Sequence, residues 1–276
     1  MKKVIIPVLL IMIAYTANHS DAQNPFPTPS VWENTANFIK PVPLAPYREA
    51  DIVWSMRVWR VINFKEKRNL QFYYPTEVAE GRISFMQMII KGMEYNLITP
   101  YQDEEFTKPI NYRDLMASFE VTDSVEIIDL DTGLPTIKAI TKKLNPEDIY
   151  QIRIKEDWFI DKQKSYLEVR ILGICPVLLV KDDNDNVKGN LPMFWINFDQ
   201  ARLLFANIQT FNPFNDAMRL TYDDLFLKRI FSSYIIKKSN VYNRNIAEYK
   251  MGIDALLESE QIKDDIFNTE LDLWEY

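Results

Sequence analysis

Adjacent carboxylates are the first residues in this sequence whose spacing could do chemistry. They occur as the pairs Glu104/Glu105, Asp223/Asp224 and Asp264/Asp265. Two carboxylates can act together on a glycosidic bond when both face one cleft, roughly 5 to 9.5 Å apart. Neighbouring residues on a helix point about 100° apart, so the two carboxylates of such a pair do not face the same cleft. We therefore interpret the pairs as helix-terminus charges or solvated surface, and we predict no catalytic residue.

A second acidic stretch begins at Asp182 and resembles the start of a calcium loop. Asp182, Asn184 and Asn186 have the alternate spacing that such a loop needs. Its sixth position should be glycine and is Val187, and its twelfth should be glutamate and is Met193. The stretch also lies between two predicted strands, where polar residues form turns. We predict a hairpin loop here and no metal site.

Nucleophiles and cofactor motifs are scarce. The single histidine, His19, lies in the N-terminal segment, and the single cysteine, Cys175, lies in an apolar run before Pro176. Because His19 lies in a segment that we predict below to be removed, the mature chain has no imidazole. It therefore cannot build a Ser-His or Cys-His nucleophile or a histidine-ligated zinc site. Cys175 is predicted to be a buried, inert thiol, and it cannot form an internal disulfide. No glycine-rich phosphate-binding motif occurs, so we predict a non-enzyme without a cofactor.

The N-terminus has the layout of an export signal. Lys2 and Lys3 precede an uncharged, mostly apolar run over residues 4–17, and Ser20 and Ala22 have the spacing of a signal-peptidase site. We predict a signal peptide over residues 1–22, and its removal would take away two lysines, one aspartate and His19. The net charge would then change from −7 to −8, which gives no general attraction to nucleic acid. No second long apolar run predicts a membrane span.

Residues 23–46 form a predicted proline-rich extended arm, followed by a single domain over residues 47–276. The arm contains proline at positions 25, 27, 29, 41, 43 and 46, which disfavours both helix and sheet. Trp32 and Phe38 are apolar anchors within it. Two interpretations remain open: the arm packs on its own domain, or it lies on a neighbouring subunit.

Hydrophobic periodicity predicts an α+β fold, in which a central antiparallel β meander is flanked by helical N-terminal and C-terminal regions. In the N-terminal region we predict helices over residues 49–64, 83–95 and 111–119, a strand over 121–129 and a helical turn after Asn145. The meander is predicted from strands over residues 150–160, 166–174, 177–180 and 193–198. In the C-terminal region we predict helices over residues 198–208, 245–258 and 260–270, and one that begins after the cap residue Thr221.

Aromatic and arginine residues supply the candidate contacts with other proteins. Most tryptophans have helix or strand spacing and are interpreted as core rather than as sugar-binding platforms. Aromatic residues at the end of the sequence either dock internally or bind a partner. The predicted partner-binding residues are Trp32, Phe38, Arg57, Arg60, Trp274 and Tyr276.

Several stretches resemble the GldN (PorN) family of gliding-motility proteins of the type IX secretion system. They are Tyr47-Arg48-Glu49-Ala50-Asp51, Val53-Trp54-Ser55, Arg57-Val58-Trp59-Arg60-Val61-Ile62, Phe72-Tyr73-Tyr74-Pro75, Pro192-Met193-Phe194-Trp195-Ile196, Asp223-Asp224-Leu225-Phe226, Ser239-Asn240-Val241-Tyr242-Asn243-Arg244 and Gly252-Ile253-Asp254-Ala255-Leu256-Leu257. No single stretch is diagnostic, but their shared order is specific and spans residues 47–276.

The resemblance implies a periplasmic ring subunit that binds an outer-membrane lipoprotein (GldK or PorK) and contacts the periplasmic part of an inner-membrane motor (GldM or PorM). It also implies self-association within the ring, location at the inner face of the outer membrane, no enzyme activity and no cofactor. Two alternatives follow from the residues alone. One is a periplasmic carboxylate-dependent enzyme acting on glycans, and the other is a small-ligand binding module, which needs a formed apolar pocket.

Overall fold

A computed structural model describes residues 39–78, 82–119, 121–128, 135–142, 144–164, 166–181, 187–212 and 220–272. Its strands are β1 (Ile52–Asn63), β2 (Pro100–Tyr101), β3 (Val121–Ile128), β4 (Pro135–Lys142), β5 (Gln151–Asp161), β6 (Leu167–Lys181), β7 (Val187–Pro192), β8 (Trp195–Asn197), β9 (Gln209–Thr210), β10 (Leu220–Thr221) and β11 (Tyr234–Lys238). Its helices are α1 (Leu70–Tyr73), α2 (Phe85–Glu94), α3 (Tyr112–Phe119), α4 (Phe198–Phe205), α5 (Tyr222–Leu227) and α6 (Ile253–Asp272). Short 3₁₀ turns occupy Glu49–Asp51, Lys67–Asn69, Pro146–Asp148 and Ile246–Glu248.

One antiparallel sheet organises the molecule. Its strand order is β11-β1-β5-β6-β8-β2, and β7 also pairs with β6. The register of β1 on β5 is regular from the pair Trp54 and Ile160 to the pair Asn63 and Gln151. Two further antiparallel pairs, β3 with β4 and β9 with β10, lie outside this sheet. The long central strands therefore form a rigid platform for the helices.

Two hydrophobic clusters cover the two ends of one sheet face. Because side chains alternate along a strand, the even-numbered residues of β1 and β5 share a face. Near the end of β1, Ile62 and Ile152 pack in the large cluster with α2, α4 and α5. Near its beginning, Val58 packs in a small cluster with residues of β11 and α6. The fold thus has a main core and a satellite core on one sheet.

Side-chain caps start the helices where the sequence places Ser, Thr and Asn. Ser84 and Gln87 form a reciprocal capping box at α2, and Thr221 forms one with Asp224 at α5. Asn197 accepts from the backbone N–H of Gln200 at α4. Such caps satisfy backbone donors that a helix leaves free in its first turn. They hold the helices of the main core at fixed entry points.

The predicted helix over residues 49–64 is wrong, because this segment forms β1. Its apolar residues satisfy a helical period, but they also alternate at Trp54, Met56 and Val58. The segment is rich in β-branched and aromatic residues, which favour a strand. Pairing with β5 on one side and β11 on the other then decides between the two periods.

The α+β class is confirmed, with an antiparallel sheet and helices towards both ends. Helices α2, α3 and α4 and the turn at Pro146–Asp148 confirm the predictions for those segments. The strands predicted over 166–174 and 177–180 are one strand, β6, and the last two predicted helices are replaced by a 3₁₀ turn and the single helix α6. The turn after Asp182 lies outside the described residues, and the flanking strands β6 and β7 pair antiparallel. None of the described helices is both long enough and apolar enough to cross a membrane.

Candidate interaction surface

Arg57 is an exposed residue on the odd-numbered side of β1, which is exposed from Val53 to Arg57 and buried at Trp59 and Val61. Its Nε and Nη2 donate to the two carboxylate oxygens of Asp157 at 2.6 and 2.8 Å. The hydrogen bond to Asp157 raises the pKa of the Arg57 guanidinium, against the opposing effect of partial burial. Because both side chains remain partly exposed, Arg57 can still be reached from outside the domain.

Arg60 is placed differently, although it too was predicted to bind a partner. Its side chain lies on the opposite face of β1 and is only 7% exposed. Its Nε donates to Ser233 Oγ at 2.9 Å, and its guanidinium lies 5.9 Å from the ring of Trp158. Burial lowers the pKa of Arg60. In this domain Arg60 is engaged in the interior, and the structure does not bring it together with Arg57.

Glu156 is the buried carboxylate next to Arg60. It is 0% exposed and accepts from Arg229 Nη1 at 2.8 Å and Nη2 at 3.2 Å. The indole N–H of Trp158 donates to the same carboxylate at 3.0 Å. These groups lie between the main core and the satellite core. Sequence reasoning missed them, and the available signal was a charged residue at an inward position of the alternating strand β5.

The described part of the proline-rich arm is bound to its own domain. Asn207 exchanges two hydrogen bonds with the backbone of Ile39, at 2.9 and 3.0 Å. Arg202 Nη2 donates to the carbonyl of Val42 at 2.7 Å. Beyond it, Arg170 donates to the carbonyl of Ala45. Residues 39–46 therefore lie along α4 and β6, and the predicted anchors Trp32 and Phe38 fall outside the described residues.

The carboxylate pair at α5 has two structural roles. Asp223 is buried and accepts from Arg202 Nε at 3.0 Å and Nη2 at 3.1 Å. Asp224 caps the helix with Thr221 and forms a 2.8 Å ion pair with Lys228. The two side chains point to different partners, as helical spacing predicts. Within the described ranges, no group of three or more His, Cys, Asp or Glu side chains is arranged to hold a metal ion.

Large apolar side chains are exposed along the C-terminal part of the fold. Leu257 is 62% exposed and Val241 is 98% exposed. We call the whole set the C-terminal apolar surface. It comprises Val241, Tyr242, Tyr249, Met251, Ile253, Leu256, Leu257, Phe267 and Leu271. Most of its members lie between β11 and the first turns of α6.

A groove of about 280 Å³ adjoins this surface at the β11 side of the sheet. We call it the edge groove. Arg153 and Val61, which are cross-strand neighbours, line it together with Tyr234. Its other lining residues are Gln151, Asn190, Ile235, Ile236, Asn245, Ile246, Ala247, Gly252, Ala255 and Leu256. Leu256 belongs to both the edge groove and the C-terminal apolar surface, so the two are continuous.

Helix α6 is strongly acidic. It has one basic residue, Lys263, which pairs with Glu260 at 3.2 Å. Its acidic residues are Asp254, Glu258, Glu260, Asp264, Asp265, Glu270 and Asp272. Only a narrow stripe, Ser259, Ile262 and Ile266, is buried against the sheet. The helix thus presents apolar and acidic groups outward together. The predicted contact residues Trp274 and Tyr276 follow α6 and fall outside the described residues.

Comparison with known proteins assigns this chain to a family. A search of curated proteins gave no significant match. The family model for gliding motility associated protein GldN matches residues 47–275, which is most of the chain. This is the family that serves gliding motility and type IX secretion, and the match covers the sheet, its helices and the C-terminal apolar surface. The chain therefore belongs to the GldN family of gliding motility associated proteins.

Proposed function

We propose that this chain is a non-catalytic structural subunit of a periplasmic ring complex serving type IX secretion and gliding motility. It binds an outer-membrane lipoprotein of the GldK or PorK type and couples to the periplasmic part of a GldM- or PorM-type motor. Copies of the chain contact one another within the ring. The predicted export signal and the family support a periplasmic location at the inner face of the outer membrane.

The C-terminal apolar surface is the observation that carries this proposal. Scattered exposed apolar residues are ordinary, but concentrated apolar surface marks sites of contact with other proteins. Here seven of the nine residues of the C-terminal apolar surface fall between Val241 and Leu257, and the edge groove adjoins them. A structural subunit needs such a surface, whereas an enzyme needs converging reactive groups. The adjacent carboxylates of Asp223 and Asp224 are engaged by Arg202 and by the cap of α5.

The test is assembly of the mature chain with the lipoprotein partner. Size analysis of the mature chain alone, and mixed with the lipoprotein, should show a large assembly only in the mixture. Replacing Leu257 by glutamate should reduce that assembly, because a charge is placed in the contact surface. Val53→Glu is the matched control, since Val53 is 61% exposed but lies on β1 away from this surface.

Folding must be equal in both variants, which their denaturant unfolding midpoints would establish. A mature chain that stays monomeric with the lipoprotein would remove the proposal. Normal assembly of Leu257→Glu would show that the C-terminal apolar surface is not the contact on which assembly depends.

A further inference from the structure

Arg153 is the arginine that lines the edge groove, and it has no salt bridge to another described residue. It is half-buried on β5, between Val61 of β1 and Cys175 of β6. No carboxylate in the described part of the chain forms a salt bridge with its guanidinium, whereas Arg57, Arg202 and Arg229 each have one. A partly desolvated guanidinium gains most from a carboxylate, which can accept two parallel hydrogen bonds. The edge groove is therefore suited to an anionic group.

The walls around Arg153 define the rest of the ligand. Ile236, Ala255 and Leu256 offer apolar surface, while Asn190 offers an amide donor and acceptor. The side-chain amide of Asn245 already donates to Glu248 at 2.8 Å. A volume of about 280 Å³ accommodates one or two large side chains rather than a folded element. The fitting ligand is a short peptide segment with one carboxylate flanked by large apolar residues.

The chain contains such a segment directly after α6. Residues 273–276 read Leu-Trp-Glu-Tyr, with the Glu275 carboxylate between two aromatic residues. We propose that the edge groove of one copy binds residues 273–276 of a second copy, and that Glu275 pairs with Arg153. This inference deepens the proposed function, on which it rests, by naming the contact through which copies associate.

The geometry of α6 requires the contact to form between copies. Leu256 lines the edge groove, and Asp272 ends the helix sixteen positions later. At ~1.5 Å per residue the end of α6 is about 24 Å from Leu256 along the helix axis. Glu275 is three residues further on and reaches at most about 10 Å back. A copy therefore cannot fill its own edge groove with this segment.

Such a contact joins two different surfaces, the edge groove of one copy and the segment after α6 of the next. Contacts of this kind are heterologous, and they generate closed rings when the rotation closes and filaments when it does not. The same contact would also cover Leu256 and its exposed neighbours.

The direct test is binding of a labelled, amidated peptide of residues 271–276 to the mature chain at concentrations where the chain is monomeric. The wild-type chain should bind it, and Arg153→Glu should weaken binding by about tenfold or more, as for other buried charge pairs. A peptide with Glu275→Lys should bind Arg153→Glu better than it binds wild type. Arg113→Glu, on the exposed side of α3, is the control and should bind like wild type.

Assembly gives an independent readout through charge exchange. In the full mature chain with its lipoprotein, Arg153→Glu alone and Glu275→Lys alone should each assemble poorly. Mixing the two variants should restore assembly, because each groove then meets a tail of opposite charge. Equal peptide binding by wild type and Arg153→Glu, or normal assembly of both single variants, would overturn the inference.

The lipoprotein can be measured separately, which distinguishes the two proposals. Loss of copy–copy assembly with intact binding of the lipoprotein to single copies supports the edge-groove contact. The chain could instead bind the peptide through Arg153 and fail to bind the lipoprotein. That outcome would support this inference and contradict the proposed function.

Discussion

At the scale of single residues, the ion pair between the buried Glu156 and the partly exposed Arg229 lies at the boundary between the two cores. Arg60 and Arg229 both lie beside Trp158, and Glu156 is the fully buried carboxylate between them. The carboxylate also accepts the Trp158 indole N–H, so its oxygens are fully used. Removing one partner of a buried pair leaves the other charge without compensation.

We expect Glu156→Gln to lower the free energy of unfolding by about 3 kcal/mol, at the lower end for a buried pair, because Arg60 is buried but Arg229 keeps some contact with solvent. Urea unfolding followed by tryptophan fluorescence measures this. Asp157→Asn, at the next position of β5, is the matched control. It breaks the exposed pair with Arg57 and should cost only about 0–1 kcal/mol. Equal losses in the two variants would contradict a special role for Glu156.

Asp103 makes stability depend on acid pH. Its carboxylate accepts from the Thr107 hydroxyl at 2.6 Å and from the backbone N–H of Lys108 at 2.8 Å. The hydrogen bond from Thr107 is the main cause that lowers the pKa of Asp103 from 3.8 to about 2. A lowered folded-state pKa means that the carboxylate stabilises the fold above its unfolded pKa and stops doing so as pH falls through the folded pKa.

The stability difference between wild type and Asp103→Ala should therefore be full at neutral pH and should shrink between about pH 4 and about pH 2. Unfolding free energies of both proteins across this pH range provide the measurement. A stability difference that stays constant down to pH 2 would show that the ionised carboxylate of Asp103 does not stabilise the fold.

At the scale of elements, α6 protects the outer edge of the sheet. Among the described strands, β11 has one strand neighbour, β1, and such edges are prone to unwanted pairing. The backbone N–H of Ile235 in β11 donates to Ser259 Oγ of α6 at 2.9 Å. The helix therefore satisfies an edge donor as well as burying Ile262 and Ile266 in the satellite core.

We expect Ser259→Ala to destabilise the fold by about 1–3 kcal/mol, because the Ile235 N–H is left buried without an acceptor. Hydrogen exchange at Ile235 should accelerate relative to the strands of the main core. Ser239→Ala, at an exposed position after β11, should stay within about 0.5 kcal/mol of wild type. Unchanged exchange at Ile235 in Ser259→Ala would argue against this role of the hydroxyl.

The elements also show what the sequence could predict. The strand predicted over residues 150–160 and the helix predicted after the Thr221 cap are both present, as β5 and α5. The segment of β1 was mispredicted because its apolar residues satisfy both periods, and only pairing with β5 and β11 decides between them. Local sequence patterns thus located most elements. They could not distinguish helix from strand where pairing between distant strands decides the conformation.

The candidate surface was harder to predict for a related reason. Arg57 and Arg60 are three positions apart, and strand alternation therefore places them on opposite faces of β1, with Arg57 exposed and Arg60 buried. Glu156 and Arg229 are 73 positions apart in the sequence, and no local sequence pattern predicts that they pair. Likewise, α6 has apolar residues on several sides, and only its docking on β11 decides that Ile262 is buried and Leu257 exposed.

At the scale of the whole molecule, one sheet carries two cores of unequal size, and the described part of the arm and α6 lie on different parts of it. The arm runs along α4 and β6 before it enters β1, while α6 leaves from the satellite core. The C-terminal apolar surface and the edge groove accompany the smaller core. The larger core can therefore keep its packing while the C-terminal part of the fold engages a partner.

The path of the arm has a mechanical consequence. A pull on the arm first meets the contacts of Ile39, Val42 and Ala45 in turn, and these can release one after another. The load then reaches β1, which is bonded along its length to β5 and at its far end to β11. Tension along a strand pulls its hydrogen bonds in shear, so they must break together. The arm would yield gradually, and the sheet behind it would hold as a stiff anchor.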